Sequence, residues 1–288
     1  MVVNSGAEEV EGSENRPDWA TDDTLFDKPS AARMYDYYLG GHHNFEIDRR
    51  MAQQAVSEWP DLPLIMQTNR AFLRRAVQFL LAQGIDQFLD VGSGIPTIGN
   101  VHEVVQKENR DARVVYVDID PITVAHSEAI LKSNPTVGVI EGDICDSLRI
   151  VNHPKVRQLL DFEKPVAILA VAVLHFVVDD EDIRNSMRTL RESLSSGSYL
   201  AVSHASFEAK PQETREHEVL YRQTSTPIKM RSYGDILQFF EGFDLVDPGL
   251  VYFPLWRPEG PNDLFLDEPE RSPGFAGVGL KTSPSATQ

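Results

Sequence analysis

The sequence contains a single cysteine, Cys145, so neither an intrachain disulfide nor a cysteine-rich metal site is possible within the chain. Basic residues are also scarce, because 27 Lys and Arg stand against 44 Asp and Glu and leave a formal net charge of −17. A surface this acidic repels phosphate backbones. We therefore expect no nucleic-acid partner.

Long apolar runs are absent too, since none reaches the ~20 residues that cross a bilayer. The first residues, MVVNSGAEEVEGSENRPDW, lack the basic-then-apolar order of a signal peptide. We expect a cytoplasmic protein without a membrane partner. Residues 1–23 and 282–288 are polar and poor in apolar side chains, and we predict that both tails are disordered.

Helical patterns occupy the first part of the remaining chain. One predicted helix begins after Asp27 as its N-cap and ends at Gly40 and Gly41, a second covers residues 47–58, and a third covers residues 63–83. All three precede the first predicted strand. They predict an N-terminal helical cap over residues 24–84.

Strand and helix patterns alternate from residue 85 to residue 281. Strands are predicted at residues 87–91, 113–118, 137–143, 165–176 and 198–204, and helices at 96–108, 121–132, 154–162 and 181–194. The apolar runs of the strands are nearly continuous, which is typical of parallel strands buried on both faces. This pattern predicts an α/β fold with a doubly wound sheet. A helix is predicted at 232–241, followed by an antiparallel hairpin of residues 243–253 and 274–281, and the polar stretch 206–232 predicts a substrate-side insertion.

The stretch QFLDVGSGIPTIGN, residues 87–100, predicts a tight turn between a strand and a helix. A phosphate-binding loop needs Lys where Asn100 stands, so we exclude that interpretation. The dinucleotide fingerprint G-x-G-x-x-G has Thr97 in place of its third glycine. A diphosphate therefore suits this turn poorly.

Acidic residues at successive strand ends favour a nucleoside cofactor without phosphates. Asp90 precedes Gly92 and Gly94, and Asp118 follows Gly94 by 118 − 94 = 24 residues at the end of the next strand, where a carboxylate can accept both ribose hydroxyls. Asp143 and Ile144 follow the third strand and offer an acceptor and an apolar face for adenine. S-adenosylmethionine has these chemical groups.

Several segments also resemble a known family. LDVGSGIPT, VYVDIDP and AVLHFV resemble motifs of class I S-adenosylmethionine-dependent methyltransferases. The chain from about residue 27 to residue 258 is similar to an actinobacterial family of such methyltransferases, long catalogued as a domain of unknown function. The segments that carry this resemblance are PSAARMYDYYLGGHHNFEIDR, NRAFLRRAV, QFLDVGSGIPTIGNVHEV, VVYVDIDP, VAVLHFV, GSYLAVSH and LVDPGLVYFPLWRP.

The resemblance implies a Rossmann-like, seven-stranded, mostly parallel sheet in the order 3-2-1-4-5-7-6, with S-adenosylmethionine as cofactor. It implies that the 90–94 turn lines the methionine end, that Asp118 holds the ribose, and that Ile119, Asp143 and Ile144 form the adenine pocket. The candidate cofactor residues in that turn are Asp90, Gly92, Ser93 and Gly94.

Further candidates lie in the helical region. Tyr38 and Gly40 belong to a segment whose aromatic rings are candidates to close over the cofactor, with the glycines as a hinge; packing of the helix is the alternative. Arg70 is a candidate partner for the cofactor carboxylate, and a solvated helix-face charge is the alternative.

Histidines supply the candidate proton acceptors. His175, after the fourth strand, is the candidate catalytic base, with a structural role as its alternative, and His204 is a second candidate. We predict no metal site, because the adjacent His42 and His43 point apart and have no evident acidic partner.

We therefore predict an S-adenosylmethionine-dependent methyltransferase that modifies an oxygen or nitrogen atom of a small molecule, as a monomer or homodimer. A non-catalytic S-adenosylmethionine sensor is the main alternative. A nicotinamide-dependent oxidoreductase is the third. Tyr221 and Arg231, in the polar insertion, are candidates to contact substrate or to anchor the loop.

Overall fold

A computed structural model of the chain describes residues 27–96 and 99–283. The disordered tail predicted at residues 1–23 lies outside these ranges, as does most of the tail predicted at 282–288. The division into a helical cap at 24–84 and an α/β domain at 85–281 stays a prediction.

Three helices precede the sheet: α1 (Ala31–Tyr38), α2 (Glu46–Glu58) and α3 (Leu62–Ala82). α1 begins later than predicted, because Ser30 rather than Asp27 is its N-cap residue. Asp48 lies in the first turn of α2, and its carboxylate accepts the N–H of the N-cap residue Phe45 at 2.9 Å. α3 carries a continuous buried stripe that includes Phe72 and Leu80.

The sheet is formed by five parallel strands and an antiparallel edge. The parallel strands are β1 (Gln87–Val91), β2 (Arg113–Asp118), β3 (Val137–Glu141), β4 (Ala167–Val171) and β5 (Tyr199–Ala205). β8 (Gly274–Leu280) pairs antiparallel with β5 and with the short strands β6 (Asp244–Leu245) and β7 (Val251–Tyr252). The helices that accompany these strands are α4 (Val101–Glu108), α5 (Pro121–Leu131), α6 (Ser147–Asn152), α7 (Pro154–Leu159), α8 (Asp180–Ser193), α9 (Pro211–Tyr221) and α10 (Tyr233–Leu237).

The strand order β3-β2-β1-β4-β5-β8-β6 confirms the predicted class I topology. The described residues contain eight strands rather than seven, because the predicted strand at 243–253 is divided into β6 and β7 by the turn around Gly249. Phe88 packs on one face of the sheet and Leu89 on the other, so both faces are buried as the continuous apolar runs predicted.

Three predicted element boundaries differ from the structure. α4 begins at Val101 instead of residue 96, because Asn100 and Glu103 form a capping box there. β4 ends at Val171, because Ala172 has a φ of 57° and turns the chain away from the sheet. The segment 206–232 is not wholly irregular, since it contains α9.

Candidate functional site

A cavity of about 810 Å³ lies at the carboxyl ends of the parallel strands. It is lined by residues that follow β1 to β5, and by α1, α3, α9 and the segment 225–230. In a parallel sheet these ends are the usual ligand site, because the connecting loops meet there. The cavity therefore brings together residues as far apart in the chain as Asp27 and Pro273.

One part of the cavity, which we call the acidic half, lies over the ends of β1, β2 and β3. Its lining includes all of the predicted cofactor residues except Tyr38 and Gly40. The side chains and turns of this half include Arg70, Asp90, Gly92, Ser93, Gly94, Asp118, Ile119, Asp120, Asp143 and Ile144.

The turn after β1 runs close against the chain that follows β4. Gly92 has a φ of 71°, and a Cβ atom there would overlap the side chain of Val173. The N–H of Gly92 donates to the carbonyl of Val117 at 2.8 Å, which ties the turn to β2. Gly94 also has a positive φ, of 64°. Only glycine meets both requirements at position 92, and the backbone is thereby exposed to the cavity.

Asp118 joins the ends of β1 and β2. Its Oδ2 accepts the N–H of Gly94 at 2.8 Å, and its Oδ1 accepts the N–H of Asp120 at 3.0 Å. Burial raises the pKa of Asp118 to about 6, although these hydrogen bonds act in the opposite direction and lower it. A carboxylate has about four lone-pair sites. Two sites therefore remain for a ligand.

Asp90 and Arg70 form the second charged feature of this half. Burial raises the pKa of Asp90 to about 7, while the charge of Arg70 lowers it. Arg70 reaches the cavity from α3, with its guanidinium 5.6 Å from the ring centroid of Tyr35. Its Nε is buried, and Arg70 has no hydrogen bond or ion pair with another described residue. A guanidinium whose Nε is unpartnered beside a cavity is a ready site for an anionic group.

Three residues after β2 and β3 line the same half. Ile119 is 53% exposed and Ile144 is buried, so the cavity has an apolar surface at both strand ends. Asp143 accepts the N–H of Cys145 at 2.8 Å through Oδ1. These side chains offer two apolar contacts and one carboxylate to a flat heterocycle.

His175 stands over the end of β4, in a short 3-10 turn. Burial lowers the pKa of His175 to about 3, with smaller effects of His217 and Arg231. Its Nδ1 is buried without a hydrogen-bond partner among the described residues. The imidazole is therefore neutral near pH 7 and able to accept a hydrogen bond.

The other part of the cavity, which we call the apolar chamber, lies over β4 and β5. The N–H of Lys229 donates to the carbonyl of His175 at 2.8 Å, and the N–H of Arg231 donates to that of Ala205 at 3.3 Å, so the segment 224–231 is bound across both strand ends. The chamber is lined by Trp59, Leu62, Ile65, Met66, Phe176, Ala205, His217, Tyr221, Thr226, Ile228, Met230 and Phe253.

Sequence reasoning missed most of this lining. His217 was not a candidate, although it stacks beside Trp59 and Tyr221 at ring-centroid distances of 5.6 and 4.5 Å. Burial lowers the pKa of His217 to about 4. Tyr221, a candidate, does line the chamber. The sequence of α9 does contain a helical pattern that could have identified this lining, because positions 217, 220 and 221 fall on one face of the helix, and that face is buried.

Tyr38, Gly40 and His204 are not brought to the cavity. Tyr38 is buried in the core beside Tyr221, and Gly40 closes α1 with a φ of 78°. His204 has Nε2 3.2 Å from Arg231 Nη1 and Nδ1 2.7 Å from the carbonyl of Ala205. Since arginine only donates, Nε2 is the acceptor and His204 is a neutral structural residue. For Tyr38 and Gly40, the structure therefore fits the alternative of helix packing. For His204, it fits a structural role.

Arg231 is an anchor rather than a substrate contact. Its guanidinium donates to the carbonyls of Leu174 and Val177 and to Asp180, and its side chain is 3% exposed. It is not among the described residues that line the cavity. The insertion is thus held to the turn after β4 by a buried charge with a full set of partners.

Two general properties of the described residues bear on the class of protein. Across ranges 27–96 and 99–283, no group of three or more His, Cys, Asp or Glu is placed to hold a metal ion. Within the same ranges, no helix combines the length and apolar character needed to cross a membrane.

Comparison with known proteins decides the family. Residues 17–282 match the family described as S-adenosyl methyltransferase. The chain belongs to the S-adenosyl methyltransferase family. It is accordingly an S-adenosylmethionine-dependent methyltransferase, as the sequence predicted, and the nicotinamide-dependent alternative is wrong.

Two solved structures are similar over nearly their whole length. One, from Thermobifida fusca YX, is 39% identical, covers 93% of this chain and 100% of its own, and superposes with a TM-score of 0.85. The other, a DUF574 family protein from Streptomyces avermitilis MA-4680, is 38% identical, covers 88% and 98%, and has a TM-score of 0.84. No curated protein matches the chain.

Proposed function

We propose that the enzyme transfers a methyl group to an oxygen or nitrogen atom of a small molecule, with the cofactor in the acidic half and the acceptor in the apolar chamber. The observation that carries this proposal is that the ends of β1, β2 and β3 place Asp90, Asp118 and Asp143 along one side of a single cavity. The neighbouring β4 and β5 end in the apolar chamber.

The methionine end fits between Arg70 and the turn after β1. The Arg70 guanidinium, whose Nε has no hydrogen-bond partner among the described residues, is suited to the cofactor carboxylate, and Asp90 is suited to its ammonium group. The backbone of Gly92, Ser93 and Gly94 is open to the cavity for close approach. This arrangement supports binding of a zwitterionic amino-acid group.

The nucleoside end fits over β2 and β3. The two remaining lone-pair sites of Asp118 are suited to the ribose hydroxyls. Ile119 and Ile144 offer apolar contacts to the adenine ring, and Asp143 an acceptor for its amino group. Tyr38 and Gly40 have no part in this proposal, since they lie away from the cavity lining.

The bound cofactor supplies an electrophilic methyl carbon on a sulfonium sulfur. That carbon would be transferred to a lone pair of the acceptor, and the electrons of the broken carbon–sulfur bond would remain on sulfur. His175 accepts a hydrogen bond from the acceptor O–H or N–H and so directs the lone pair. Its pKa of about 3 makes it a weak base, so the acceptor proton passes on to solvent.

The partner proposed here is a small molecule rather than a nucleic acid, since the chain carries a net charge of −17. A monomer or homodimer and a cytoplasmic location stay predictions.

The test is calorimetry and thermal shift with S-adenosylmethionine, S-adenosylhomocysteine and NADH. A ligand at 100 times its dissociation constant adds about 2.7 kcal/mol of stability, so Tm rises by roughly 5 °C or more with the adenosyl ligands alone. Arg70→Met is expected to weaken their binding at least about tenfold, by loss of a charge-assisted hydrogen bond. Arg74→Met is the matched control, because Arg74 lies on the same helix and pairs with the surface residue Glu259.

Equal binding to the Arg70 and Arg74 variants would contradict the placement of the methionine end. A shift with NADH and none with the adenosyl ligands would contradict the proposal as a whole.

A further inference from the structure

We infer that the methyl acceptor is an uncharged, ring-containing molecule that reaches His175 through a hydroxyl or amine group. The inference rests on the proposed function, because it assigns the apolar chamber to the acceptor. It concerns the charge and shape of the acceptor, which the family does not specify.

The first observation is the charge of the chamber. None of the described residues that line it carries an ionised side chain near pH 7. His175 and His217 are the titratable imidazoles there, and burial lowers the pKa of both, to about 3 and about 4. Both rings are therefore neutral. A carboxylate or phosphate placed in the chamber would lose its hydration without gaining a cation.

Two cations of the segment 224–231 are already engaged. Arg231 donates to two carbonyls and to Asp180. Lys229 Nζ lies 2.7 Å from the same carboxylate. Arg70 lies in the acidic half, where the proposed function assigns it to the cofactor carboxylate. Arg231 and Lys229 are therefore not available to neutralise an anionic acceptor.

The second observation is a pair of buried polar atoms without partners. His175 Nδ1 and Thr226 Oγ1 have no hydrogen bond to any described residue, and both residues line the cavity. Buried polar groups are nearly always hydrogen-bonded, so orphaned atoms beside a cavity indicate a ligand group or water that completes them. A hydroxyl or amine can satisfy one as donor and the other as acceptor.

The third observation is the aromatic wall. Trp59, Phe176, Tyr221 and Phe253 all line the chamber, and Trp59 meets His217 edge to face. Flat rings pack well in such walls through offset-stacked or edge-to-face contacts. A chamber with mostly apolar walls and two unpartnered polar atoms therefore favours an aromatic alcohol or amine over a sugar or an amino acid.

The experiment compares two probes of the same ring shape and different charge, 2-naphthol and 2-naphthoate. Each is titrated by calorimetry at neutral pH into protein saturated with S-adenosylhomocysteine. We expect 2-naphthol to bind at least about tenfold more tightly, in line with the cost of an unpaired buried charge. Equal or tighter binding of 2-naphthoate, or binding of neither probe, would overturn the inference.

Two variants connect the result to the chamber. Ile228→Arg places a cation in its wall and is expected to reverse the preference toward 2-naphthoate. Val219→Arg is the control, because Val219 is 52% exposed on α9 and does not line the cavity. Thr226→Val, which keeps the side-chain shape, is expected to weaken 2-naphthol binding by several-fold. An unchanged preference in Ile228→Arg, with retained S-adenosylhomocysteine binding, would also overturn the inference.

Binding of S-adenosylhomocysteine itself separates this inference from the proposed function. If the wild-type protein fails to bind it, the cofactor assignment fails before the acceptor is tested. If it binds and the probes behave otherwise than expected, only the acceptor class is wrong.

Discussion

Arg33 Nε lies 2.7 Å from Asp48 Oδ2, and the two side chains are 2% and 0% exposed. This ion pair joins α1 to α2. Asp48 also accepts the backbone N–H groups of Ser30 and Phe45, each at 2.9 Å. Arg33 Nη1 reaches Asp120 at 3.3 Å, so the same guanidinium connects both helices to the turn that follows β2.

Replacing Asp48 should therefore be costly. Asp48→Ala leaves the Arg33 charge buried and two N–H groups without an acceptor, and we expect a loss of about 3–5 kcal/mol in the free energy of unfolding. Glu46→Ala is the control on the same helix, because Glu46 pairs with Arg49 and Arg50 at the surface and its loss should change the free energy of unfolding far less. Urea unfolding of both variants tests this, and equal losses would contradict it.

The pKa of Asp90 predicts how cofactor affinity depends on pH. In the free protein that pKa is raised to about 7, mainly by burial. An ammonium group binds the ionised form, so affinity is greatest well above pH 7 and falls as the pH is lowered through about 7. Calorimetry with S-adenosylhomocysteine measures this. Asp90→Asn should bind more weakly and lose most of the pH dependence; an unchanged pH profile would count against the contact.

The lowered pKa of His217 predicts that the stability of the fold depends on pH. Its pKa is lowered by burial to about 4 in the folded protein, and an unfolded histidine has a pKa of ~6.5. The unfolded chain therefore binds more protons between these values, and stability is lost as the pH falls from about 6.5 toward about 4. His217→Phe should remove up to ~1.4 kcal/mol per pH unit from that slope.

Asp90→Asn is the matched comparison for His217→Phe, because its effect on the pH dependence of the free energy of unfolding has the opposite sign. The raised pKa of Asp90 makes the folded state bind more protons than the unfolded state between about 4 and about 7, so its contribution to stability falls as the pH rises. Denaturant unfolding at several pH values distinguishes the two. Slopes that change in the same direction would contradict one of the two pKa assignments.

Substitution of Gly92 is expected to lower the free energy of unfolding by more than backbone strain alone would. Gly92→Ala adds a Cβ that overlaps Val173 at a φ of 71°, and we expect a loss of more than ~2 kcal/mol together with loss of cofactor binding. Gly84→Ala is the control, because Gly84 has a φ of 85° but no atom within 4 Å of an added Cβ. It should cost only about 1 kcal/mol. Similar losses for the two variants would show that the contact with Val173 is unimportant.

The sequence predicted the acidic half well because its residues follow strands that are recognisable by composition. Asp90, Asp118 and Asp143 each lie within two residues of the end of a buried apolar run, and the carboxyl ends of parallel strands meet at one edge. Position along the chain was therefore enough to place them together. No tertiary detail was needed.

The apolar chamber could not be predicted in the same way. α9 is rich in charged residues, and Leu220 is the aliphatic residue among its buried positions, which also include His217 and Tyr221, so its pattern looked like a polar loop. Trp59 stands at the end of α2 and meets His217 only after folding. Tyr38 was misplaced for a related reason: a tyrosine at helical spacing serves a core or a cavity equally well, and the choice depends on its neighbour Tyr221.

The two hydrogen bonds of Asp118 have a consequence for how the site behaves under mutation. Because one carboxylate both accepts the Gly94 N–H and lines the cavity, we expect the order of the turn and the affinity for a ligand to be thermodynamically coupled at this position. Substitutions at positions 94 and 118 will not have additive effects. An inherited or engineered change at either one alters the shape of the turn and the ligand contact in a single step, so the two positions behave as one mutational unit.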